Sequence, residues 1–220
     1  MNFIQSPGIV LSSKPLKESD ILLTILTETN GCIKAVAPSA KKSFKRFMGG
    51  IDIFDCAVFN LRLPAKRAGL YRVEAISKSE SWMTLRTDLN KLSLSTYCLE
   101  ITTLYAKEDD EDTKFLFRPL FLSLRTIDKL QSNNEICSLV IFYNLILLEI
   151  SGFSATTEGS NFNCKAEIKS WFQQMLQTKS AILPNNLDLI NEGFFSLANY
   201  SQELIGREIN SAALVHNAMR

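Results

Sequence analysis

The sequence predicts an α+β protein in which a small N-terminal antiparallel β-barrel is followed by an all-α helical bundle. Up to about Glu80 the chain consists of short apolar runs separated by turn signals, which is typical of strands. From Trp82 onward the apolar residues recur at helical spacing. A length of 220 residues allows one large domain or two small ones, and we expect two domains at residues 1–80 and 81–220.

The N-terminal half contains five predicted strands. The second and third flank Asn30-Gly31, a dipeptide favoured in two-residue hairpin turns because both central positions need a positive φ. Five strands without an intervening helical pattern favour a small barrel. The predicted strands are Gly8–Ser12, Ile21–Thr27, Cys32–Ala37, Ile51–Leu63 and Leu70–Ile76.

The C-terminal half contains a succession of predicted helices, the first of which Asp88 could cap. Ile136–Ile150 is apolar on nearly all sides, yet it is short for a bilayer span and interrupted by polar residues. We interpret it as the buried central helix of a bundle, ended by Gly152. The other predicted helices are Phe115–Leu130, Lys165–Gln177, Asn186–Leu204 and Ser211–Ala218.

Composition and missing motifs exclude several classes of protein. With 46% apolar and 21% charged residues the chain is neither disordered nor of low complexity. Five cysteines without a Cys-x-x-Cys pair, and an N-terminus unlike a signal peptide, favour a cytoplasmic protein. The glycine-rich phosphate loops and the Gly-x-Ser-x-Gly motif are absent, and His216 is the only histidine. We therefore expect no enzyme activity, no cofactor and no metal site.

Charge divides the chain in the same place as the predicted fold. Residues 1–80 hold 12 basic and 7 acidic side chains, whereas the remainder holds 12 and 16. Between Lys34 and Arg72 there are nine basic and two acidic residues. Such a local excess favours a polyanionic partner, most simply a phosphate backbone. An ordinary solvated loop rich in lysine would explain the charge equally well.

Residues 41–47 read KKSFKRF, in which two aromatic side chains stand among four cations. Cations follow the phosphates of single-stranded nucleic acid, and aromatic rings stack on its bases. Alternatively, Phe44 and Phe47 close one end of the barrel. The predicted nucleic-acid-binding residues are Lys34, Lys41, Lys42, Phe44, Lys45, Arg46, Phe47, Lys66, Arg67 and Arg72.

Several short segments, in order, resemble the RecO family of bacterial recombination mediators and DNA-annealing proteins. Glu18-Ser19-Asp20, followed by Gly31 and Val36-Ala37, resembles the family's N-terminal signature. Ser151-Gly152-Phe153 resembles the end of its long apolar helix, and Leu204-Ile205-Gly206-Arg207 resembles its C-terminal segment. Each match is short, and the resemblance depends on their order and spacing along the whole chain.

The resemblance implies an OB-fold for the barrel and the function of a DNA repair and recombination mediator. Such a protein binds single- and double-stranded DNA, anneals complementary strands and helps to load RecA on DNA coated with the single-stranded-DNA-binding protein SSB, in the RecF pathway. The implied partners are DNA, the acidic and apolar C-terminal tail of SSB, and RecR, with a cytoplasmic, nucleoid-associated location and no membrane. Many members carry a four-cysteine zinc module, but Ser154–Cys164 offers one cysteine, so we expect a degenerate region without zinc.

A second candidate site follows from the implied SSB partner. Arg118, Arg125 and Lys129 are spaced by seven and four residues and would share one helix face with Leu122. We expect these four residues to hold the SSB tail, although a solvated stripe has the same spacing. Two other functions remain open, an RNA-binding OB module in translation or RNA processing and a protein adaptor that binds no nucleic acid.

Overall fold

The computed structural model describes residues 3–47, 50–64, 69–106, 110–157 and 160–218. It confirms an α+β protein with five N-terminal strands followed by helices. The chain divides into two compact units. The first, here called the barrel unit, comprises Met1–Trp82 and Ala106–Phe121, and the second, the helical unit, comprises Met83–Tyr105 and Leu122–Arg220. Residues 106–121, which the predicted boundary at residue 80 assigns to the helical half, thus belong to the first unit.

The strands of the barrel unit close in the order β1-β2-β3-β5-β4, and β4 returns to β1. All pairs are antiparallel except β3 with β5, which is parallel, so the expectation of a wholly antiparallel barrel is corrected. Closure is possible because β1 is 13 residues long and pairs with β4 through its first half and with β2 through its second. The strands are β1 Phe3–Pro15, β2 Ile21–Thr27, β3 Gly31–Ala37, β4 Cys56–Arg62 and β5 Tyr71–Glu80.

The predicted fourth strand begins too early in the sequence. Residues 51–55 form a turn in which Phe54 adopts a φ of 65° and Asp55 Oδ2 accepts a hydrogen bond from the Asp52 backbone N–H at 3.0 Å. Apolar residues in this turn, including Ile51 and Phe54, are nevertheless buried. The alternation of apolar and polar residues here reflects burial in a turn. From the sequence alone, such a buried turn cannot be distinguished from a strand.

A short helix, α1 (Phe44–Phe47), lies between β3 and β4 and was not predicted. Its last residue, Phe47, is fully buried and belongs to the barrel core together with Ala40. Phe59, Ile25 and Val73 contribute to the same core from the strands. The segment between β3 and β4 therefore fills space inside the barrel as well as connecting two strands.

A 3-10 helix, Glu111–Leu116, packs on β3 within the barrel unit. Thr113 Oγ1 accepts a hydrogen bond from the Cys32 backbone N–H at 2.8 Å and donates one to the Asp110 carbonyl at 2.6 Å. Gly31, at the start of β3, has a φ of 67°, and a Cβ there would overlap both Thr113 Oγ1 and the Asp110 carbonyl oxygen. Gly31 thus satisfies the hairpin turn and also allows this close approach.

The helical unit is built around α5. Asn144 on α5 donates a hydrogen bond to the hydroxyl of Tyr97 on α3 at 2.8 Å and accepts one from Ser201 on α7 at 3.1 Å. Asp88 caps α3 by accepting hydrogen bonds from the backbone N–H groups of Asn90 and Lys91, as predicted. The helices are α2 Thr84–Thr87, α3 Leu89–Tyr105, α4 Phe117–Lys129 (whose first five residues belong to the barrel unit), α5 Asn133–Ile150, α6 Ala166–Thr178, α7 Leu189–Ile205 and α8 Ala212–Ala218.

Within the described ranges, α5 is the one helix long and apolar enough to cross a membrane. More than half of that stretch, 56%, is buried inside the structure. Asn144 at its centre is 1% exposed and hydrogen-bonded to neighbouring helices. These contacts are those of the core helix of a bundle.

We predict that Gly31→Ala destabilises the protein far more than Gly206→Ala. Both glycines have a φ near 70°, but a Cβ at Gly206 meets nothing within 4 Å. Gly206→Ala should lower the free energy of unfolding by about 1–2 kcal/mol, the cost of the left-handed conformation. Gly31→Ala adds an overlap with backbone and should cost about 2–5 kcal/mol. Urea unfolding followed by circular dichroism measures the free energy of unfolding of both variants. Equal losses of stability would show that the 3-10 helix moves away from the added Cβ at little cost.

Candidate nucleic-acid interface

The basic segment after β3 is fixed to the turn between β1 and β2. Asp20 Oδ1 accepts a hydrogen bond from the Ser39 backbone N–H at 2.9 Å, and the Ser19 carbonyl accepts one from the Lys41 N–H at 3.2 Å. Ser39 has a φ of 55°, so the chain turns sharply there. Lys41 and Lys42 follow this turn and are exposed. The backbone that carries the lysines is therefore held in place while their side chains reach solvent.

The two aromatic residues of this segment lie in opposite environments. Phe44 is 77% exposed, whereas Phe47 is 0% exposed and packs in the barrel core. A base cannot stack on Phe47 in this arrangement, so the predicted contact by this side chain is corrected. Phe47 closes the barrel, as the alternative proposed, and Phe44 remains available to a ligand. We call the exposed set Lys41, Lys42, Phe44 and Lys45 the α1 patch.

Arg46 stabilises the basic segment through contacts with residues of that segment. Its Nε donates a hydrogen bond to Ser43 Oγ at 3.0 Å, and its terminal nitrogen donates one to the Pro38 carbonyl at 2.9 Å. Its guanidinium also lies over the ring of Phe47, 4.9 Å from the ring centre. These contacts hold the side chain against the protein, so Arg46 contributes positive charge to the patch from a fixed position.

A second group of cations lies on the outer face of the strands. Arg72 on β5 is the register partner of Val36 on β3 and of Arg62 on β4, and Arg62 is the partner of Phe3 on β1. Lys34 lies two residues before Val36, between the buried residues Ile33 and Ala35, and so shares this outer face. The outer row of cross-strand neighbours runs Lys14, Leu22, Val36, Arg72, Arg62 and Phe3.

Glu74 is the acidic residue of this second group. Its Oε1 lies 3.3 Å from Arg62 Nε and 3.2 Å from Arg72 Nε. The Arg62 guanidinium lies 5.0 Å from the centre of the Phe3 ring, which is 54% exposed. We call Phe3, Lys34, Arg62 and Arg72 together with Glu74 the strand patch. Because α1 packs against β5, the α1 patch and the strand patch lie on neighbouring elements of the barrel unit.

Sequence reasoning missed Phe3 and Arg62. The signal was available for Arg62, since strand alternation places it outward beside the inward Leu61. No local signal marks Phe3, because only its pairing with Arg62 brings it to the patch. The predicted residues Lys66 and Arg67 lie outside the described residues.

Four of the five cysteines are buried, and the fifth, Cys164, is partly exposed. Cys32, Cys56, Cys98 and Cys137 are buried, and burial raises the pKa of Cys137 to about 12. Such thiols stay protonated and are poor nucleophiles or ligands. Within the described residues, no group of three or more histidine, cysteine or acidic side chains could hold a metal ion. The expected absence of enzyme activity and of cofactors stays a prediction.

Residues 154–164, which we expect to hold no zinc, have apolar contacts at their described ends. Phe162 is 6% exposed and lies 5.9 Å from the ring centre of Phe172 and 5.2 Å from that of Tyr200. Ala155 is also buried, and the Tyr200 hydroxyl donates a hydrogen bond to the Ser154 carbonyl at 3.4 Å. Side-chain packing therefore fixes the described ends of this loop.

The predicted stripe on α4 is exposed along its length. Within the helical unit, Leu122 is 48% exposed, and Arg125 and Lys129 are also exposed, whereas Arg118 is exposed on the part of α4 that belongs to the barrel unit. Beside the stripe, Thr126 on α4 and Leu130 just after it line a cavity of about 520 Å³. That cavity is lined by Thr126, Leu130, Glu135, Ser138, Leu139, Ala181, Ile182 and Leu183.

Comparison with known proteins relates the N-terminal part of the chain to a described family. The family described as recombination protein O, N terminal, matches residues 1–82, which is the continuous part of the barrel unit. Proteins named DNA repair protein RecO are similar over a longer stretch. Residues 1–82 match the RecO N-terminal family, and most of the chain is similar to RecO proteins. The relative from Desulfosudis oleivorans is 28% identical over 163 residues, which is 74% of this chain and 61% of that protein.

Two further relatives show how the similarity to RecO proteins is distributed. The protein from Clostridium perfringens is 29% identical over 168 residues, 76% of this chain and 65% of its own length. The protein from Gloeothece citriformis is 39% identical over 97 residues, 44% of this chain and 33% of its own length. The match to the first two relatives thus spans less than two thirds of their length.

We predict opposite effects for the two phenylalanines of the basic segment. Phe47→Ala removes a buried ring and should lower the free energy of unfolding by about 3–5 kcal/mol. Phe44→Ala should change it by no more than about 0.5 kcal/mol, because the ring is exposed. Chemical denaturation of the two variants measures both values. A large loss for Phe44→Ala would mean that this ring has a packing role as well.

Proposed function

We propose that the protein is a DNA-binding recombination mediator whose barrel unit holds single-stranded DNA. The observation that carries the proposal is the coincidence of two features on one segment. The RecO N-terminal family matches residues 1–82, and the same segment carries the α1 patch and the strand patch. The relatives' name, DNA repair protein RecO, supports DNA as the polyanion.

The barrel is proposed to be an OB-fold. Its strand order β1-β2-β3-β5-β4 and the parallel pairing of β3 with β5 support this assignment. OB-folds bind oligonucleotides on the face of strands 2 and 3 and with the loops that join strands 1–2 and 4–5. In this chain the α1 patch is hydrogen-bonded to the β1–β2 turn, and Lys66 and Arg67 belong to the β4–β5 connection.

Binding through these residues is compatible with annealing. Contacts of lysine and arginine side chains with phosphates carry no sequence information. A strand that is held mainly by its phosphates keeps its base edges available for pairing with a complementary strand. One exposed ring, Phe44, can stack on a base at about 1–3 kcal/mol without reading its identity. Such a protein orders and releases DNA and makes or breaks no covalent bond.

As a mediator the protein would act on both DNA forms, bind RecR and the SSB tail, and help to load RecA, in the cytoplasm at the nucleoid. The proposed tail site is the α4 stripe with the adjacent cavity. Leu122 and Thr126 on α4 and Leu130 just after it are spaced by four residues, and Thr126 and Leu130 line the cavity, so the cavity lies beside the stripe. Glu135 lines that cavity and disfavours an acidic group there. The aromatic ring at the end of the tail would therefore enter it, while the tail's acids and its terminal carboxylate meet Arg125 and Lys129.

We predict a salt dependence that depends on the α1 patch. Changing Lys41, Lys42 and Lys45 to Gln should weaken binding of single-stranded DNA. It should also flatten the plot of log K against log salt concentration by about 2 units, since each phosphate contact on a single strand contributes about 0.7. Fluorescence anisotropy with labelled oligo(dT) at several salt concentrations measures the slope.

The matched control for this experiment changes Lys169, Lys179 and Arg207 of the helical unit to Gln. It removes the same charge and should leave the slope unchanged. Equal slopes for the wild type and the α1-patch variant would place the DNA site elsewhere. A labelled RNA of equivalent sequence that displaces the DNA would favour the RNA-binding alternative, because the 2′-hydroxyl distinguishes the two.

We predict that Arg125→Ala/Lys129→Ala weakens binding of an SSB tail peptide by about threefold to tenfold. Each exposed charge contact is worth about 0.2–1 kcal/mol, and salt should weaken the wild-type affinity as well. Titration of a labelled peptide gives the affinities, with Lys169→Ala/Arg207→Ala as the control. No difference between the two double variants would remove the stripe from the site. No binding to the wild type would count against the mediator function.

A further inference from the structure

Two arginines are held opposite each other on the outer face of the barrel. Arg62 and Arg72 are register partners on the antiparallel strands β4 and β5, and both side chains are about half exposed, at 53% and 52%. Like charges at opposite positions destabilise a sheet. The Arg62 guanidinium lies over the exposed ring of Phe3, but neither guanidinium fills the core, so core packing gives no reason for the pair. A local arrangement that costs stability without a packing gain is characteristic of a functional site.

Glu74 relieves this repulsion, but only weakly. A single carboxylate oxygen, Oε1, faces Nε of both arginines at 3.3 and 3.2 Å. Strong arginine–carboxylate pairs use two parallel hydrogen bonds between the guanidinium and the two oxygens. One shared oxygen beside two half-exposed side chains is a weaker arrangement, and exposed ion pairs contribute little. A phosphate group, with several oxygens, can bind both arginines better than Glu74 does.

We propose that Glu74 competes with phosphate for an anion site formed by Arg62 and Arg72. The Glu74 carboxylate occupies this site until a phosphate of a nucleic acid displaces it. This inference rests on the proposed function and assigns the strand patch a role within it. The exposed ring of Phe3, under the Arg62 guanidinium, lies where a base attached to that phosphate can stack. The ligand is a single-stranded polynucleotide, since an unpaired base and a backbone phosphate are both required.

The competitor lowers affinity and keeps release of the strand easy. Binding must break two ion pairs for each phosphate that enters the site, so part of the gain from the new contacts is lost. Glu74→Gln removes the competing charge and leaves both arginines. It should tighten binding of oligo(dT) by about threefold to tenfold. It should also steepen the salt slope by up to about 1 unit, because the phosphate then meets the full charge of the pair.

The experiment compares binding of labelled oligo(dT) to the wild type and to Glu74→Gln, first in the native background and then in an Arg62→Gln/Arg72→Gln background. The gain should disappear in the second background, because Glu74 acts through the arginines. A charge-conserving variant, Glu74→Asp, withdraws the carboxylate by one methylene and should give a smaller gain. The control Glu28→Gln removes an exposed acid at the turn between β2 and β3 and should give none.

Thermal unfolding of the same variants separates this role from a structural one. Glu74→Gln should lower the unfolding midpoint and raise affinity together, whereas a structural residue would lower the midpoint alone. Unchanged affinity of Glu74→Gln, with the wild type binding DNA, would overturn this inference and leave the proposed function intact. Equal gains in both arginine backgrounds, or an equal gain from Glu28→Gln, would also overturn it. Failure of every variant, the wild type included, to bind oligo(dT) would overturn both.

Discussion

The pairing of β1 with two strands is the constraint on which the nucleic-acid face depends. β1 meets β4 from Phe3 to Ile9 and β2 from Gly8 to Pro15, so the sheet closes and its register is fixed around the whole barrel. A slip of one residue would exchange the inner and outer sets of side chains on the strand concerned. With the observed register, Val10 and Leu61 fill the core while Phe3 and its neighbours in the outer row face solvent. The strand patch is therefore a consequence of closure.

The segment between β3 and β4 combines packing and binding within a few residues. Phe47 packs in the barrel core, and Arg46 is hydrogen-bonded to the Pro38 carbonyl, so both residues anchor α1 to the barrel unit. Lys45 and Phe44, on the same short helix, face solvent. A binding side chain on a rigid backbone loses less conformational freedom when a ligand arrives than one on a mobile loop. Burial of Phe47 thus supports the exposed residues beside it. Residues 41–47 can therefore close one end of the barrel and also present side chains to a ligand.

Local signals predicted much of the fold and only part of the site. The β2 strand and the cap at Asp88 follow from a few neighbouring residues, and the structure confirms both. The parallel pairing of β3 with β5 depends on how distant segments meet, as does the place of the 3-10 helix in the barrel unit. Neither leaves a mark in any short window. The same limit applies to the candidate site. The sequence around Phe44 and Phe47 does not show which of the two rings is buried in the core. Residue-level roles in nucleic-acid binding therefore stay predictions.

Apolar packing holds the described ends of the loop between α5 and α6 in place. A four-cysteine site fixes a loop by bonds to one ion and depends on deprotonated thiols. In this chain Phe162 packs against Phe172 and Tyr200, and Ala155 is buried, so the described ends of the loop are fixed by carbon contacts. Burial of one aromatic side chain contributes roughly 1.5–3 kcal/mol, which is enough to hold a short segment. Because these contacts involve neither thiolate nor metal, chelators and mild oxidants should leave them intact, whereas both would dismantle a four-thiolate site.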